Sequence, residues 1–475
     1  MVEPLDPAQI ICGVALDSRK ITPGDLFVAL PGERVDGHAF IADVLRQGAA
    51  AVLVTDPVDE KTCLLAKEMG AAIIEVSNTS AAFVDLAYAW RKKLSAKIVG
   101  ITGSSGKTTT KNLVRDVLAA QFRVVATQGN QNNELGVPKT ILEADPETEI
   151  IVVEMGMRGL GQIAQLCDLV APHMGLITNI GDAHLELLGS KEKIAQAKAE
   201  LFEALPKGEG VAFINRSDAF ADLACNFANL EERNVQLVYF DGSGAPVAET
   251  EAAMLEENKN SLVKWGAWAT DISLDASGCP CFTLHLPEAQ SPCTLPLRGL
   301  HNVHNATAAA SVGAAFGMEI DKIVAALKNV VAECGRQQVR EARGGFTIVD
   351  DSYNANPDSM RAALTMFSAM EFGGRRVAVL GDMGELGQTA QACHEGIGQL
   401  AASLSLDLLI CIGDLSAHIS RIAVESGMDE IKVIHVSNVS DVLEELDTYL
   451  LPGDGVLVKA SRFMGLERVV GGLVS

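Results

Sequence analysis

No stretch of this 475-residue sequence approaches the roughly 20 consecutive apolar residues that a membrane-spanning helix needs. That excludes a membrane span. Positive charge is also scarce: 38 Lys and Arg stand against 61 Asp and Glu, a net charge of −23. The balance argues against a nucleic-acid partner. It also means that an anionic substrate must be held by local cations and Mg²⁺, since the global field repels it. The ten cysteines are scattered, and Cys279 and Cys281 form the one close pair. Cys-x-Cys alone does not make a metal site, so reduced thiols in a cytoplasmic protein are expected. Met1–Asp6 lacks a basic region followed by an apolar core, so no secretory signal is expected. Repeats, low-complexity tracts and long charge runs are missing as well.

Against these absences stands one dense stretch, Gly103-Ser104-Ser105-Gly106-Lys107-Thr108-Thr109-Thr110. An apolar run, Lys97–Thr102, precedes it. A helical pattern follows, with Leu113, Val114, Val117 and Leu118 on one face. Strand, glycine loop and helix are the context of a phosphate cradle. The glycines let backbone N–H groups turn toward phosphate oxygens, Lys107 supplies a point charge, and Thr108 offers a hydroxyl to Mg²⁺. The helix N-terminus adds its partial positive charge. The common version of this loop has a further glycine where Ile101 stands, so the spacing here is the shorter Gly-x-x-Gly-Lys-Thr.

The length suggests about three domains, and the pattern divides into residues 1–94, 95–333 and 334–475. The first has short strand-like runs, Asp25–Leu30 and Ala50–Val54, and a closing helical stretch, Ala81–Lys93. The second continues from the phosphate loop with buried-strand runs Ile150–Glu154, Gly175–Asn179 and Val211–Asn215, alternating with helical patterns. Such alternation predicts parallel βαβ units. Leu262–Leu297 reads as an antiparallel extension. The third offers strands at Phe346–Asp350, Val377–Gly381, Leu408–Gly413 and Val456–Lys459, several ending in Gly or Asp. That is expected where ligands meet a doubly wound sheet. The predicted class is α/β: a small N-terminal domain, a central P-loop-type, mostly parallel sheet, and a Rossmann-like C-terminal domain.

Three further side chains carry chemistry. Glu154 ends an apolar strand, where an acid can hold Mg²⁺ or simply cap a turn. His184 follows another strand, as a structural hydrogen-bonder or a metal-site residue. Lys198, in a segment with several lysines, reads from the residues alone as a solvated charge.

Asn130–Pro138, Glu154–Gly159, Asp350–Pro357 and Leu380–Glu385, together with the short phosphate loop, resemble the Mur ligase family over nearly the whole chain. The loop spacing is normal for that family, whose members form amide bonds with ATP in peptidoglycan precursor synthesis. The resemblance implies that Lys107 grips the β- and γ-phosphates, Thr108 a Mg²⁺, and Glu154 and His184 a metal at the site of reaction; two Mg²⁺ ions are expected. Lys198 matches the lysine that CO₂ carbamylates, which turns a cation into a carboxylate-like anion. Asn302 and Asn305 would lie at the adenine, amides suiting a base edge. Arg336 would reach the phosphates and Asp351 the ribose. Ser18, Arg19, His38, Asn133, Tyr353 and Asn356 would contact substrates. The implied substrates are ATP, a UDP-N-acetylmuramoyl-tripeptide and D-alanyl-D-alanine, handled by a monomer. The implied mechanism activates a carboxylate as an acyl phosphate, which the incoming amine then attacks. Another muramyl-peptide ligase, a folylpolyglutamate synthase-like ligase, a P-loop kinase and a non-enzymatic nucleotide switch are the alternatives.

Overall fold

Chain pairing in the computed structural model, which describes residues 10–32, 35–245 and 261–474, gives an α/β protein built on mostly parallel sheets. Met1–Asp6, read above for a leader, lies outside the described residues. The chain forms two compact units. The first takes the chain to Ile98 together with Arg123–Met155 and Gln165–Ala171; the second takes Val99–Phe122, Gly156–Ala164 and the chain from Pro172 onward. Among the described residues no helix is long and apolar enough to cross a membrane.

In the first unit, β1 (Gly13–Ala15), β2 (Asp25–Val28), β3 (Ala51–Val54) and β4 (Ala72–Glu75) pair in that order, all parallel. β2 and β3 are buried along their whole length. They read as apolar runs because both faces of a parallel sheet are covered. Phe27, Val52 and Val54 pack with Ile41, Val44 and Leu45 on one face. Leu26, Val28, Ala51 and Leu53 pack with Phe83, Leu135 and Leu142 on the other. Phe83 belongs to the helix Thr79–Arg91, capped by the Asn78 side chain accepting from Ala81 N–H. Trp90 of that helix donates to the Ala144 carbonyl at 2.8 Å, and Arg91 to the Val170 carbonyl at 2.7 Å.

β5 (Lys97–Thr102) carries the chain into the second unit, and its pattern is buried after Lys97. β6 (Val124–Ala126) and β7 (Ile150–Glu154) are a parallel pair in the first unit. Then come β8 (Met174–Ile177), β9 (Val211–Asn215), β10 (Gln236–Asp241), β11 (Val263–Leu274), β12 (Pro280–Leu286) and β13 (Ala289–Thr294). Within the second unit β5, β8, β9, β10 and β11 pair in parallel succession, and β12 and β13 extend them antiparallel. The expected antiparallel extension is therefore present, entered by a parallel step from β10. The helix His301–Ala315 is buried along most of its length. Its small residues let neighbours approach: a Cβ on Gly313 would meet Val117 of the helix Lys107–Ala119 at 2.8 Å.

The remaining sheet runs β14–β15–β19–β16–β17–β18, formed by Gln338–Glu341, Thr347–Asp350, Gly455–Lys459, Arg376–Gly381, Leu408–Ile412 and Val433–Val436 respectively. β14 is antiparallel to β15 and the rest are parallel. Two apolar clusters flank it, one around Met360, Leu364 and Phe367, the other around Val442, Leu446 and Val469. This is the doubly wound arrangement expected from the sequence. β15, β19 and β16 end side by side in Asp350-Asp351, Lys459 and Gly381-Asp382. β4, β6, β10 and β18 are three to six residues long, and the sequence reading did not place them.

Candidate functional site

The loop Gly103–Gly106 joins the buried strand β5 to the helix Lys107–Ala119. Leu113, Val114, Val117 and Leu118 are all buried on that helix, as the periodicity predicts. Gly106 has φ +73, a left-handed conformation that L side chains adopt at a cost. A side chain on Gly103 would collide with Thr178 Oγ1. Thr178 donates to the Ser105 carbonyl at 2.7 Å, while Asn179 accepts from Ser105 N–H at 2.9 Å and donates to Ser105 Oγ at 2.8 Å. Those bonds explain why β8 stops at Ile177, two residues before the predicted end. Ser104 N–H goes to the Asn179 carbonyl, and Ser104 Oγ accepts from Gly181 N–H. No side chain caps the helix start, which leaves its first N–H groups for an anion. Thr109 is half-buried on the first turn.

Lys107 donates to the Gly103 carbonyl at 2.6 Å, folded back over the loop it belongs to. Arg336 arrives from 228 residues further along the chain than Thr108. Its Nη2 donates to Thr108 Oγ1 at 3.0 Å, and its Nε is buried, ion-paired to Glu333 Oε2 at 3.6 Å but without a hydrogen-bond acceptor. A phosphate oxygen would meet that donor. The turn carrying Arg336 is tight, with Gly335 at φ +71 and Gln337 at +54. The Tyr353 ring lies under the guanidinium at 4.2 Å, with Arg462 5.5 Å from the ring centre. Lys107, Thr108, Arg336 and Tyr353 are thus brought together.

Asn302 and Asn305 are buried and chained. Asn305 Nδ2 donates to Asn302 Oδ1 at 2.8 Å, Thr110 donates to Asn305 Oδ1 at 3.0 Å, and Asn302 donates to the Arg298 carbonyl at 2.6 Å. Asn305 also faces Gly106, whose added Cβ would sit 2.8 Å from its oxygen. Asp351, expected at the ribose, forms a buried pair with Lys459, Nζ to Oδ2 at 2.7 Å, and Lys459 also donates to the Asn354 carbonyl. Burial pushes the Asp351 carboxyl up, and Lys459 opposes that shift. Asn356 caps the helix Pro357–Ala369 in a reciprocal pair with Ser359.

Of the predicted metal-site residues, Glu154 has a carboxylate oxygen that suits a hard cation. Glu154 is buried at the end of β7. Its Oε1 accepts from Asn132 at 2.7 Å and its Oε2 has no hydrogen-bond partner, so one carboxylate oxygen is left for an electropositive group. His184 has φ +64 and begins a one-turn helix, Leu185–Leu188. Its Nδ1 lies 2.6 Å from Glu385 Oε2, off the axis of a good hydrogen bond. Burial and then the Lys107 charge push His184 below the ordinary imidazole range, with Glu385 working against them. Lys198 is buried within the helix Lys191–Glu203, 1% exposed. The solvated-lysine reading is therefore a correction: burial first and Lys107 second drive its pKa well below the ordinary value, with Asp218 opposing.

The first unit holds a separate cavity of about 460 Å³ lined by Asp17, Lys20, Gln131, Asn133, Lys139 and Glu143 among others. Of the predicted substrate residues, Asn133 lines it. Arg19 turns back to Asp17 at 2.8 Å and is largely exposed. His38 uses both ring nitrogens within the fold, Nδ1 with Asp36 at 2.7 Å and Nε2 accepting from Thr55 N–H at 3.0 Å. Ser18 lies in a short turn capped by Asp17. Lys459, Glu385, Lys20 and Lys139 were missed. Lys459 had a signal, since it ends an apolar strand as Glu154 does.

Three family models match: the Mur ligase family catalytic domain over residues 10–91, the Mur ligase middle domain over 101–313, and the Mur ligase glutamate ligase domain over 335–462. A UDP-N-acetylmuramoyl-tripeptide–D-alanyl-D-alanine ligase of Mycobacterium tuberculosis is 38% identical over all of this chain and 94% of its own length. The crystal structure of MurF from Acinetobacter baumannii superposes with a TM-score of 0.79 at 31% identity, covering 98% of this chain and 93% of its own. MurF ligase from Thermotoga maritima in complex with ADP gives 0.76 at 27% identity, covering 98% of each.

Proposed function

We propose that this chain, which belongs to the Mur ligase family, is the ATP-dependent ligase that joins D-alanyl-D-alanine to a UDP-N-acetylmuramoyl-tripeptide in peptidoglycan precursor synthesis. The observation that carries the catalytic reading is the meeting of Arg336 with Thr108 at the uncapped helix start. Cations from distant parts of the sequence converge where a γ-phosphate would lie, and Arg336 Nε makes no hydrogen bond there, its nearest acidic partner being Glu333 at 3.6 Å.

A carboxylate is a poor electrophile because its leaving group would be oxide. Its attack on the γ-phosphate of ATP gives an acyl phosphate and ADP. The amine of D-alanyl-D-alanine then adds to the acyl carbon, and phosphate leaves from the tetrahedral intermediate. The first step brings two anions together, so positioning and charge neutralisation are the protein's main levers. Lys107 swings from the Gly103 carbonyl to the β- and γ-phosphates, and the loop N–H groups hold the phosphate oxygens. Arg336, backed by Tyr353, reaches the transferring group. Thr108, Glu154 and His184 would hold Mg²⁺, which supplies charge neutralisation at the phosphates. Lys198, whose pKa burial and the Lys107 charge lower, is suited to react with CO₂ as the free amine; its carbamate would support a metal-site cation. Asn302 and Asn305 would border the adenine and Asp351 the ribose. The cavity with Asn133, Asp17 and Lys20 is the place for the UDP-sugar. The setting is the cytoplasm, where ATP is available.

The test offers the protein ATP, the UDP-muramoyl-tripeptide and a panel of amino acids and dipeptides, with products weighed by mass spectrometry. The expected product is the tripeptide plus one D-alanyl-D-alanine less one water, with phosphate release requiring both acceptor and amine. Phosphate release indifferent to the amine would exclude the ligase reading.

A further inference from the structure

The loop Asp382–Leu386 is mostly buried and firmly held, with Glu385 its exposed residue. Met383 N–H donates to His394 Nε2 at 3.0 Å, and His394 Nδ1 pairs with the Ala390 carbonyl at 2.7 Å. Gly384 N–H donates to Ser461 Oγ at 2.9 Å. Asp382 accepts from Ser416 N–H at 2.7 Å through its side chain and from Ser461 N–H through its carbonyl. All this fixes the next residue, Glu385, at φ +60. A left-handed backbone costs a non-glycine residue on the order of 1–2 kcal/mol, and such strain is concentrated at working sites.

Opposite Glu385 stands a second residue of the same kind. His184 has φ +64, and its carbonyl accepts from Leu187 and Leu188 N–H at 3.1 Å each. Three contacts from this side converge on Glu385. His184 Nδ1 lies 2.6 Å from Oε2, Arg158 Nη2 lies 3.6 Å from Oε1, and Glu186 N–H donates to the Glu385 carbonyl at 3.4 Å. The surfaces are close: a Cβ on the next glycine, Gly387, would meet Glu186 Cγ at 2.9 Å.

We propose that Glu385 is a positioning residue for His184. Its carboxylate lies against the Nδ1 edge of the imidazole at 2.6 Å, so that seating the loop Asp382–Leu386 against the His184 turn orients the ring and leaves Nε2 to a divalent cation. An imidazole has two chemically different edges, and a carboxylate at one fixes both the tautomer and the ring plane. This inference rests on the ligase reading and adds to it a link between the C-terminal sheet and the metal site.

The experiment compares Glu385→Ala and Glu385→Gln with the parent, full chain with ADP, using Mn²⁺ as the probe ion. Mn²⁺ affinity is read by electron paramagnetic resonance, and kcat and the KM for ATP are measured separately. Glu385→Ala should weaken Mn²⁺ binding by about 10-fold or more and lower kcat similarly, with the KM for ATP within about twofold. Glu385→Gln keeps an acceptor oxygen and should recover part of both losses. Parent-like Mn²⁺ affinity in Glu385→Ala overturns the proposal. So does an equal loss in both variants that appears as a raised KM for ATP with kcat unchanged. If the parent forms no amide, the ligase reading fails, while the Mn²⁺ comparison still decides the role of Glu385.

Discussion

Two lysines in the second unit are almost equally shut off from water, Lys198 at 1% and Lys459 at 2% exposure, and they solve the same problem in opposite ways. Lys459 ends β19, 2.7 Å from the Asp351 carboxylate, with a further bond to the Asn354 carbonyl. Lys198 sits mid-helix between buried Ala197 and Ala199, and the strongest charge acting on it is another cation, Lys107. A buried ammonium must be paired or must lose its proton. Lys459 is paired. Lys198 is driven toward the neutral amine, the form that reacts with CO₂. The difference lies in the neighbours, since the residue type and the burial are the same.

The sharpest way to break this contrast is Lys198→Ala. If the neutral amine is carbamylated and supports a cation, turnover should fall on the order of 10³-fold, comparable to losing a preorganised transition-state group. Millimolar short-chain carboxylic acids should then restore part of it by occupying the vacated space, with an effect that depends on acid size. Lys107→Ala should lose on the order of 10²–10³-fold without any such rescue. An active Lys198→Ala enzyme, indifferent to carboxylates, would return Lys198 to a packing role.

Lys459 should respond in stability. Lys459→Met leaves the buried Asp351 carboxylate without its nearest cation, only the Arg336 charge and the Gln337 N–H still favouring it, and should cost about 3–5 kcal/mol in urea unfolding. Adding Asp351→Asn should recover most of that loss, because the stranded charge is what destabilises. A single variant as stable as the parent would show that Asp351 finds water once Lys459 is gone.

The smallest effect is on His301. Burial first, then the Lys459 charge, then His304 bring its pKa from 6.5 down to about 4. Between those values the unfolded chain holds a proton that the folded one refuses, so stability is lost as pH falls from 6.5 toward 4. In the Lys459→Met, Asp351→Asn protein the His301 pKa should move up and this pH slope should flatten. Nuclear magnetic resonance titration of His301 checks it; an unmoved pKa would mean that the Lys459 charge has no part in setting the value.

The same division between local and distant causes explains what could be read from the chain. β5, the phosphate loop and the helix after it are contiguous, and their signals are local: a buried apolar run, glycines at forced positions, a periodic apolar face. Ile150–Glu154 and Val211–Asn215 were placed to the residue for the same reason, as runs covered on both faces. β6 and β18 escaped because three or four residues carry too little pattern, and their pairing partners supply what holds them. Asn356 and His38 were read as substrate residues, whereas the fold also uses them as a helix cap and as a bridge between Asp36 and Thr55.

The sequence by itself determined the α/β class and the contiguous strand, glycine loop and helix at Lys97–Ala119, because these depend on residue type and near spacing. Only the tertiary structure decided which charges face one another. Arg336 meets Thr108 across more than 220 residues of chain, Lys459 meets Asp351 across more than 100, and Glu385 meets His184 across about 200. Whether a buried lysine stays an ion or becomes a neutral amine is set by the dielectric and by the nearest charge. Both are properties of packing, and no spacing along the chain encodes them.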